Sequence, residues 1–302
     1  DKVTKMPDFK GYLSDIGGPS ANMYQMKGKI QSICDRCVAP SCISPVICHN
    51  LDTSHKPLTE IYRAVDAHPK VKKSFIGSGI RYDMLVPEFN KNANPKELDE
   101  YTEEVITNHV SGRLKVAPEH TSDAVLKLMR KPSFKYFHKF KQRFDSINIK
   151  KKLNLQLIPY FISSHPACEL EDMANLAAET KDMGFQLEQV QGFTPTPMTV
   201  ATVIYYSGYN PYTLKKIYTP RSSQEKTEQH RFFFWYKKEN QDWIRNTLQK
   251  VNRQDLIKAL LPSVFTGPKQ EKSKMKPAGK SKKPEGFESI FEGKRVLKRK
   301  KK

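Results

Sequence analysis

The sequence has 302 residues, enough for one large domain or two of ordinary size. It contains no apolar run of about 18 residues, so it predicts no membrane-spanning segment. Its net charge of +20 suits an acidic partner, but residues 268–302 carry 14 Lys or Arg against 4 Asp or Glu, a net charge of +10. We therefore expect a disordered basic tail over 268–302 that adds only non-specific contact with RNA.

Short apolar segments alternate with amphipathic segments along the rest of the chain. Strands are predicted over 9–18, 72–80, 113–118, 153–162 and 186–194. Helices are predicted over 97–110, 119–131, 135–147 and 169–184, and Gly184 is expected to stop the last of them. Because strands that alternate with helices pair in parallel, this pattern predicts an α/β protein with a parallel sheet that is open or part of a barrel.

The segment after residue 208 is predicted to be helical and is rich in aromatic residues. Phe232 to Tyr236 are five consecutive aromatic residues, so they cannot all face the same side. We expect some to pack in the core and one or two to face a substrate. Stacking on nucleic-acid bases beside Lys237 and Lys238 is the alternative.

Four of the five cysteines lie within fifteen residues, in the pattern Cys34-x2-Cys37-x4-Cys42-x5-Cys48. Four thiolates this close in sequence can surround one Zn²⁺ ion or one iron–sulfur cluster. Disulfides or unliganded thiols are the alternatives. Cys168, the fifth cysteine, is expected to be a lone thiol.

Polar and glycine-rich segments follow each predicted strand. In parallel α/β folds the carboxyl ends of the strands lie at one edge of the sheet, where ligands bind. The Gly17-Gly18 pair can present bare backbone groups to a ligand. The alternative is that these are ordinary turns and helix starts.

Six sequence blocks in this order resemble the YgiQ family of radical SAM proteins, from about residue 6 to residue 265. They read DIGGPSANMY, SCISPVICHNLDTSHKP, GSGIRYDML, LKVAPEHTSDAVLKLM, IPYFISSHPACELEDM and QVQGFTPTPMTVATVIYYSGYNP. The resemblance implies a partial TIM-like (β/α)6 radical SAM barrel over 1–207 with a Cys-rich insertion at about 30–50. A family-specific helical C-terminal domain over 208–267 and the tail over 268–302 would follow it.

The activity that this resemblance implies is reductive cleavage of S-adenosylmethionine to a 5′-deoxyadenosyl radical that acts on an unknown substrate in the cytoplasm. It implies a [4Fe–4S] cluster and an electron donor such as a flavodoxin or a ferredoxin. The sequence lacks the Cys-x3-Cys-x2-Cys loop that holds the catalytic cluster in radical SAM proteins. We therefore expect a fragment whose catalytic cluster ligands lie outside this chain, which alone is inactive. The cysteines Cys34–Cys48 would then bind a second cluster or Zn²⁺.

The resemblance also implies which residues bind S-adenosylmethionine. They are Gly17, Gly18, Pro19, Ser78, Arg81, Lys115, Glu119, Ser164 and Gln191. Gly17, Gly18 and Pro19 occupy the position of the family's GGE motif, and because the third residue is Pro, only the backbone part of that role carries over.

Alternatives remain for several of these residues and for the function as a whole. Arg81 can bind the cofactor carboxylate as a fork or form an ion pair. Lys115 and Glu119 can hold the cofactor or pair with each other. The alternative function is that of a metal-stapled RNA-binding or interaction protein.

Overall fold

A computed structural model describes residues 1–18 and 22–261. Its strands are β1 (Tyr12–Leu13), β2 (Lys73–Ser74), β3 (Arg113–Glu119), β4 (Gln156–Ser163) and β5 (Gln189–Gly192). The helices that precede β4 are α1 (Gln31–Cys34), α2 (Lys56–Asp66), α3 (Pro95–Asn108), α4 (Asp123–Leu128) and α5 (Lys135–Lys150). The later helices are α6 (Leu170–Asp182), α7 (Val200–Ser207), α8 (Ser223–Arg231), α9 (Lys238–Lys250) and α10 (Gln254–Leu260).

All strand pairs in the described residues are parallel, and neighbouring strands are also consecutive in the chain. β1 pairs with β2, β3 pairs with β4, and β4 pairs with β5. Ile80, a few residues after β2, forms a single parallel bridge to Val116 on β3 and so joins the two groups of strands. The prediction of a mixed α/β protein with parallel pairing is confirmed.

The two faces of the sheet differ in burial. Leu114 and Val116 of β3 and Phe161 of β4 are buried in one core cluster with side chains of α3, α5 and α6. On the opposite face the side chains are exposed or half-buried, as expected from the period of two along a strand. This face, which we call the open face, consists of Lys115, Ala117, Glu119, Ile158, Tyr160, Ile162, Gln189 and Gln191.

The first two predicted strands are much shorter than expected, with two residues each, and side-chain hydrogen bonds to Asp15 follow their backbone pairing. The Asp15 carboxylate accepts hydrogen bonds from the Gly77 backbone N–H at 3.1 Å and from the Ser78 hydroxyl at 3.1 Å. These groups therefore form a turn after β2 and do not continue the ladder. The predicted helices of 97–110, 135–147 and 169–184 are present, and Gly184 has a φ of +79° after the end of α6.

The aromatic run lies between α8 and α9. Phe232 and Phe233 are fully buried in the core cluster, whereas Phe234 and Trp235 are half-buried against it. Helix α8 packs against β4 and β5, and α10 packs against α6 and α9. The described residues therefore belong to one compact unit, and the predicted division at residues 207/208 stays a prediction.

Two predictions concern residues outside the described ranges. These are Pro19, in the proposed cofactor segment, and the basic tail over 268–302. Among the helices that the structure describes, none has the length and apolarity needed to cross a membrane.

Candidate functional site

The last residue of β3 and the first residue after β4 have an unusual backbone conformation. Glu119 has a φ of +70° and Ser164 has a φ of +64°, although neither is Gly. A left-handed conformation costs a non-Gly residue roughly 1–2 kcal/mol, so other contacts must hold it in place. Strain of this kind occurs often at binding sites. Both residues were predicted site residues, and both lie at the edge where the sequence placed the site.

Glu119 lies close to Lys131, which the sequence analysis did not select. The Lys131 ammonium is 3.3 Å from Glu119 Oε1 and donates to the Ala117 carbonyl at 3.2 Å. Burial raises the pKa of Glu119, although Lys131 and then Arg81 act in the opposite direction. The second oxygen, Oε2, is buried and has no hydrogen-bond partner. Glu119 therefore retains one unused acceptor, and its ion pair is with Lys131 instead of with Lys115, which was the alternative to cofactor binding.

A first cavity of about 340 Å³ lies beside this ion pair. Its walls include Arg81, Lys115, Lys131 and Tyr160. The Arg81 fork is already engaged, because Arg81 Nε donates to Asp83 Oδ1 at 3.2 Å and a second guanidinium nitrogen contacts Oδ2. The structure thus contains the ion pair that was the alternative for Arg81, and this pair is largely buried.

A second cavity of about 460 Å³ lies on the other side of Lys131. Glu119, His165, Gln191 and Thr194 are among the residues that line it. The Gln191 side chain accepts a hydrogen bond from the Tyr160 hydroxyl, which fixes both groups on the open face. The two cavities share Lys131, so the structure brings the predicted residues Arg81, Lys115, Glu119 and Gln191 to one side of the sheet.

Gly17, Gly18 and Ser78 are not among the residues that line these two cavities. The Gly17 backbone N–H and the Ser78 hydroxyl both donate to Asp15 Oδ1, at 2.9 Å and 3.1 Å. Burial raises the pKa of Asp15, but hydrogen bonds from Gly17, Gly77 and Ser78 outweigh it and leave the pKa below its usual value. Asp15 therefore ties the turn after β1 to the turn after β2. Among the residues that the structure describes, none has a heavy atom within 4 Å of a Cβ placed on Gly18.

Ser164 lines neither of these two cavities and lies in a buried polar cluster with His120, His165 and Cys168. The Cys168 thiol is 3.4 Å from His120 Nε2, and His165 Nδ1 donates to the Pro166 carbonyl at 2.8 Å. Burial lowers the pKa of His120 to about 3 and that of His165 to about 4, so both rings are neutral near pH 7. Burial also raises the pKa of the Cys168 thiol. The hydroxyls of Ser163 and Ser164 are buried without a hydrogen-bond partner.

Gln229 of α8, which no sequence pattern selected, holds this cluster in place. Its side-chain oxygen accepts from the Ser164 backbone N–H at 2.8 Å, and its side-chain nitrogen donates to the Cys168 carbonyl at 2.6 Å. Gln229 is 1% exposed, so both hydrogen bonds are shielded from water. This clamp holds Ser164 in its left-handed conformation.

The cysteine segment, residues 34–48, is separate from the cavities of the open face. All four of its cysteines are free thiols, so the disulfide alternative is absent here. Burial raises the pKa of Cys42, and negative charge on Cys48, Cys34 and Cys37 raises it further.

Hydrogen bonds to sulfur are also present in the cysteine segment. The Ala39 backbone N–H donates to Cys37 Sγ at 3.4 Å, and the Asn50 side-chain nitrogen donates to Cys34 Sγ at 3.3 Å. Across residues 1–18 and 22–261, however, no three His, Cys, Asp or Glu side chains are arranged to hold a metal ion. The metal site therefore stays a prediction.

Comparisons with known proteins place this chain beside proteins of one family. Residues 188–289 match a domain of unknown function, DUF3362. A UPF0313 protein of Bacteroides thetaiotaomicron is 60% identical over 259 residues, which are 86% of this chain and 42% of that protein. A UPF0313 protein of Porphyromonas gingivalis is 58% identical over 259 residues, with 86% and 41% covered. One from Methanocella arvoryzae is 40% identical over 279 residues, with 89% and 45% covered.

UPF0313 is the YgiQ family, so these relatives agree with the family resemblance seen in the six sequence blocks. The chain spans less than half the length of these three relatives. What the whole protein does is therefore a matter for proposal.

Proposed function

We propose that the open face binds S-adenosylmethionine as part of a radical SAM protein of the cytoplasm. The observation that carries this proposal is the unused acceptor Oε2 of Glu119, buried beside Lys131 between two cavities of the open face. S-adenosylmethionine has an ammonium group and ribose hydroxyls that can donate to such an acceptor. Its carboxylate needs a cation, and Lys115 and Lys131 both line the first cavity.

The order of the strands supports a partial barrel. Each described strand is parallel to the next strand in the chain, as in the TIM barrel, in which ligands bind at the carboxyl ends of the strands. The open face would then be the interior of the barrel. Lys115, Tyr160 and Gln191 give it a polar character that a ligand-filled interior requires.

When bound, S-adenosylmethionine and a reduced [4Fe–4S] cluster supply a 5′-deoxyadenosyl radical. This chain has no Cys-x3-Cys-x2-Cys sequence, so its residues do not fit the catalytic cluster, whose thiolates and electron donor would come from outside it. The part left to this chain is to bind and orient the cofactor and the substrate. Glu119 would accept hydrogen bonds from the cofactor. The hydrogen bond between Tyr160 and Gln191 fixes another part of the cavity wall.

Equilibrium dialysis with labelled S-adenosylmethionine tests the proposal. Glu119→Gln keeps the size of the side chain and removes its charge, so we expect affinity to fall by about tenfold. Glu188→Gln is the matched control, because Glu188 also forms an ion pair, with Arg113, near the opposite end of the sheet. Equal affinity in the parent and in Glu119→Gln, or no binding by the parent, would contradict the proposal.

The same proposal predicts that this chain by itself produces no 5′-deoxyadenosine. The measurement is anaerobic reconstitution with iron and sulfide followed by a product assay. Reductive cleavage by the isolated chain would mean that the cysteine segment holds the catalytic cluster.

We also propose that the cysteine segment binds Zn²⁺ or a second iron–sulfur cluster. The close spacing of the four cysteines in the sequence and the N–H donors aimed at Cys37 and Cys34 support this, since such donors stabilise thiolates. Metal content per chain should fall in Cys37→Ser. It should stay unchanged in Cys168→Ser, since Cys168 lies in the core. Equal metal content in both variants, or none in the parent, would contradict the proposal.

A further inference from the structure

A third cavity, of about 510 Å³, lies between the cysteine segment and the turn that joins α4 to α5. Four cationic residues line it: Lys127, Arg130, Lys131 and Lys135. Asp123 is the single carboxylate among its lining residues, which leaves an excess of three positive charges. We call it the basic cavity. Like charges gathered around one concave space raise the local positive potential and attract an anion.

The cations of the basic cavity are only partly neutralised. Lys131 is paired with Glu119, and Arg130 donates to the Tyr212 hydroxyl at 3.1 Å. Neither Lys127 nor Lys135 forms an ion pair within the part of the chain that the structure describes. The first turn of α5, which forms one wall, has no acidic residue. The positive charge is therefore available to a ligand.

An aromatic wall borders this charge. The rings of Phe89 and Tyr136 have centroids 5.1 Å apart, and the Lys135 ammonium is 5.0 Å from the centroid of Tyr136. Both rings line the basic cavity. Several cations next to aromatic rings suit a phosphate group attached to a planar base better than they suit a single carboxylate.

The basic cavity also adjoins the proposed cofactor site. It shares Arg130 and Lys131 with the second cavity and Lys131 with the first. A molecule held in the basic cavity can therefore extend past Lys131 to the open face.

We propose that the basic cavity binds the phosphate group of a nucleotide unit, and that this unit belongs to the substrate. The second half of the proposal rests on the proposed function, whereas the binding of phosphate does not. The nucleotide can be free or part of an RNA strand, and both present the same phosphate chemistry.

Titration calorimetry of the full chain with uridine 5′-monophosphate and with uridine tests the binding of phosphate. We expect the monophosphate to bind at least about tenfold more tightly, because only it carries the charge that the lysines attract. Lys127→Gln/Lys135→Gln should weaken monophosphate binding by about tenfold. The matched control is Lys250→Gln/Lys258→Gln, which removes two exposed lysines of α9 and α10 outside the cavity. Equal binding of the two ligands, or equal losses in the two double variants, would overturn the proposal.

A measurement on the unaltered chain gives an independent check. Uridine 5′-monophosphate should protect Lys127 and Lys135 from acetylation and leave Lys250 and Lys258 reactive. Uniform protection or none at all would also overturn the proposal. A short oligoribonucleotide that binds more tightly than the monophosphate would identify RNA as the source, and equal affinity would identify a free nucleotide.

The two proposals fail in different ways. If Lys127→Gln/Lys135→Gln binds S-adenosylmethionine normally but the parent does not distinguish uridine 5′-monophosphate from uridine, the phosphate site alone is wrong. If the parent binds the monophosphate but not S-adenosylmethionine, the proposed function alone is wrong.

Discussion

Replacing Gln229 by Ala should destabilise the protein strongly, although both of its side-chain hydrogen bonds go to residues outside the open face. The substitution would leave the Ser164 N–H and the Cys168 C=O buried without partners, since Gln229 is 1% exposed. An unsatisfied buried polar group costs roughly 1–3 kcal/mol, so two of them cost about 4 kcal/mol. That is a large fraction of the roughly 5–15 kcal/mol by which domains are stable.

Urea unfolding followed by circular dichroism measures this loss as a change in the free energy of unfolding. Gln229→Glu keeps the oxygen that accepts from Ser164 but loses the donor to Cys168, so a second, independent loss is expected. The control is Gln224→Ala on the same helix, because Gln224 is exposed and bonds only to Glu228, at 2.9 Å. We expect the control to change stability by less than about 0.5 kcal/mol. A loss below about 1 kcal/mol in Gln229→Ala would refute the reasoning, because it would mean that the two backbone groups find other partners.

Two further predictions concern the cysteine segment and pH. A Cβ on Gly28 would lie 2.2 Å from Cys34 Sγ, so Gly28→Ala should displace the thiol and change its rate of reaction with a thiol reagent. The control is Gly192→Ala, which has open space around it and should leave that rate unchanged. Burial lowers the folded-state pKa of three buried histidines. It lowers the pKa of His55 to about 4, that of His120 to about 3 and that of His165 to about 4. In the unfolded chain these histidines bind a proton near pH 6.5, so the free energy of unfolding should be at its full value above that pH. On acidification towards pH 4 it should fall by about 1.4 kcal/mol per pH unit for each histidine. Urea midpoints that do not change between pH 7 and pH 5 would contradict this.

The strands and helices that the sequence predicted best are those that are determined by residues close to one another in the chain. β3 and β4 carry apolar residues at every second position on one face, and α6 ends before Gly184, which takes the left-handed conformation that Gly permits. The edge that holds the candidate site was predicted for the same reason, because the direction of a parallel sheet follows from its crossovers.

The residues that sequence reasoning missed are those that act over a distance along the chain. Lys131 reaches Glu119 only because Arg130, with a φ of +54°, turns the chain back after α4. Gln229 lies 65 residues from the Ser164 N–H that it binds, and nothing in its local sequence distinguishes it from other helical glutamines. A sequence pattern describes neighbours in the chain, whereas these contacts join a strand or its following loop to a residue much later in the chain.

The consecutive pairing of the strands has a consequence for the order in which the protein can assemble during synthesis. Each strand pairs with the strand made just before it, so the sheet can grow from the N-terminal side without waiting for later segments. Gln229 leaves the ribosome only after 65 further residues, roughly 3–13 s after Ser164 at typical rates of translation. The scaffold can therefore form early, while the loop after β4 reaches its final conformation only when α8 arrives. Synthesis that stopped before α8 would leave a sheet in which the loop after β4 has no clamp for its left-handed residue Ser164.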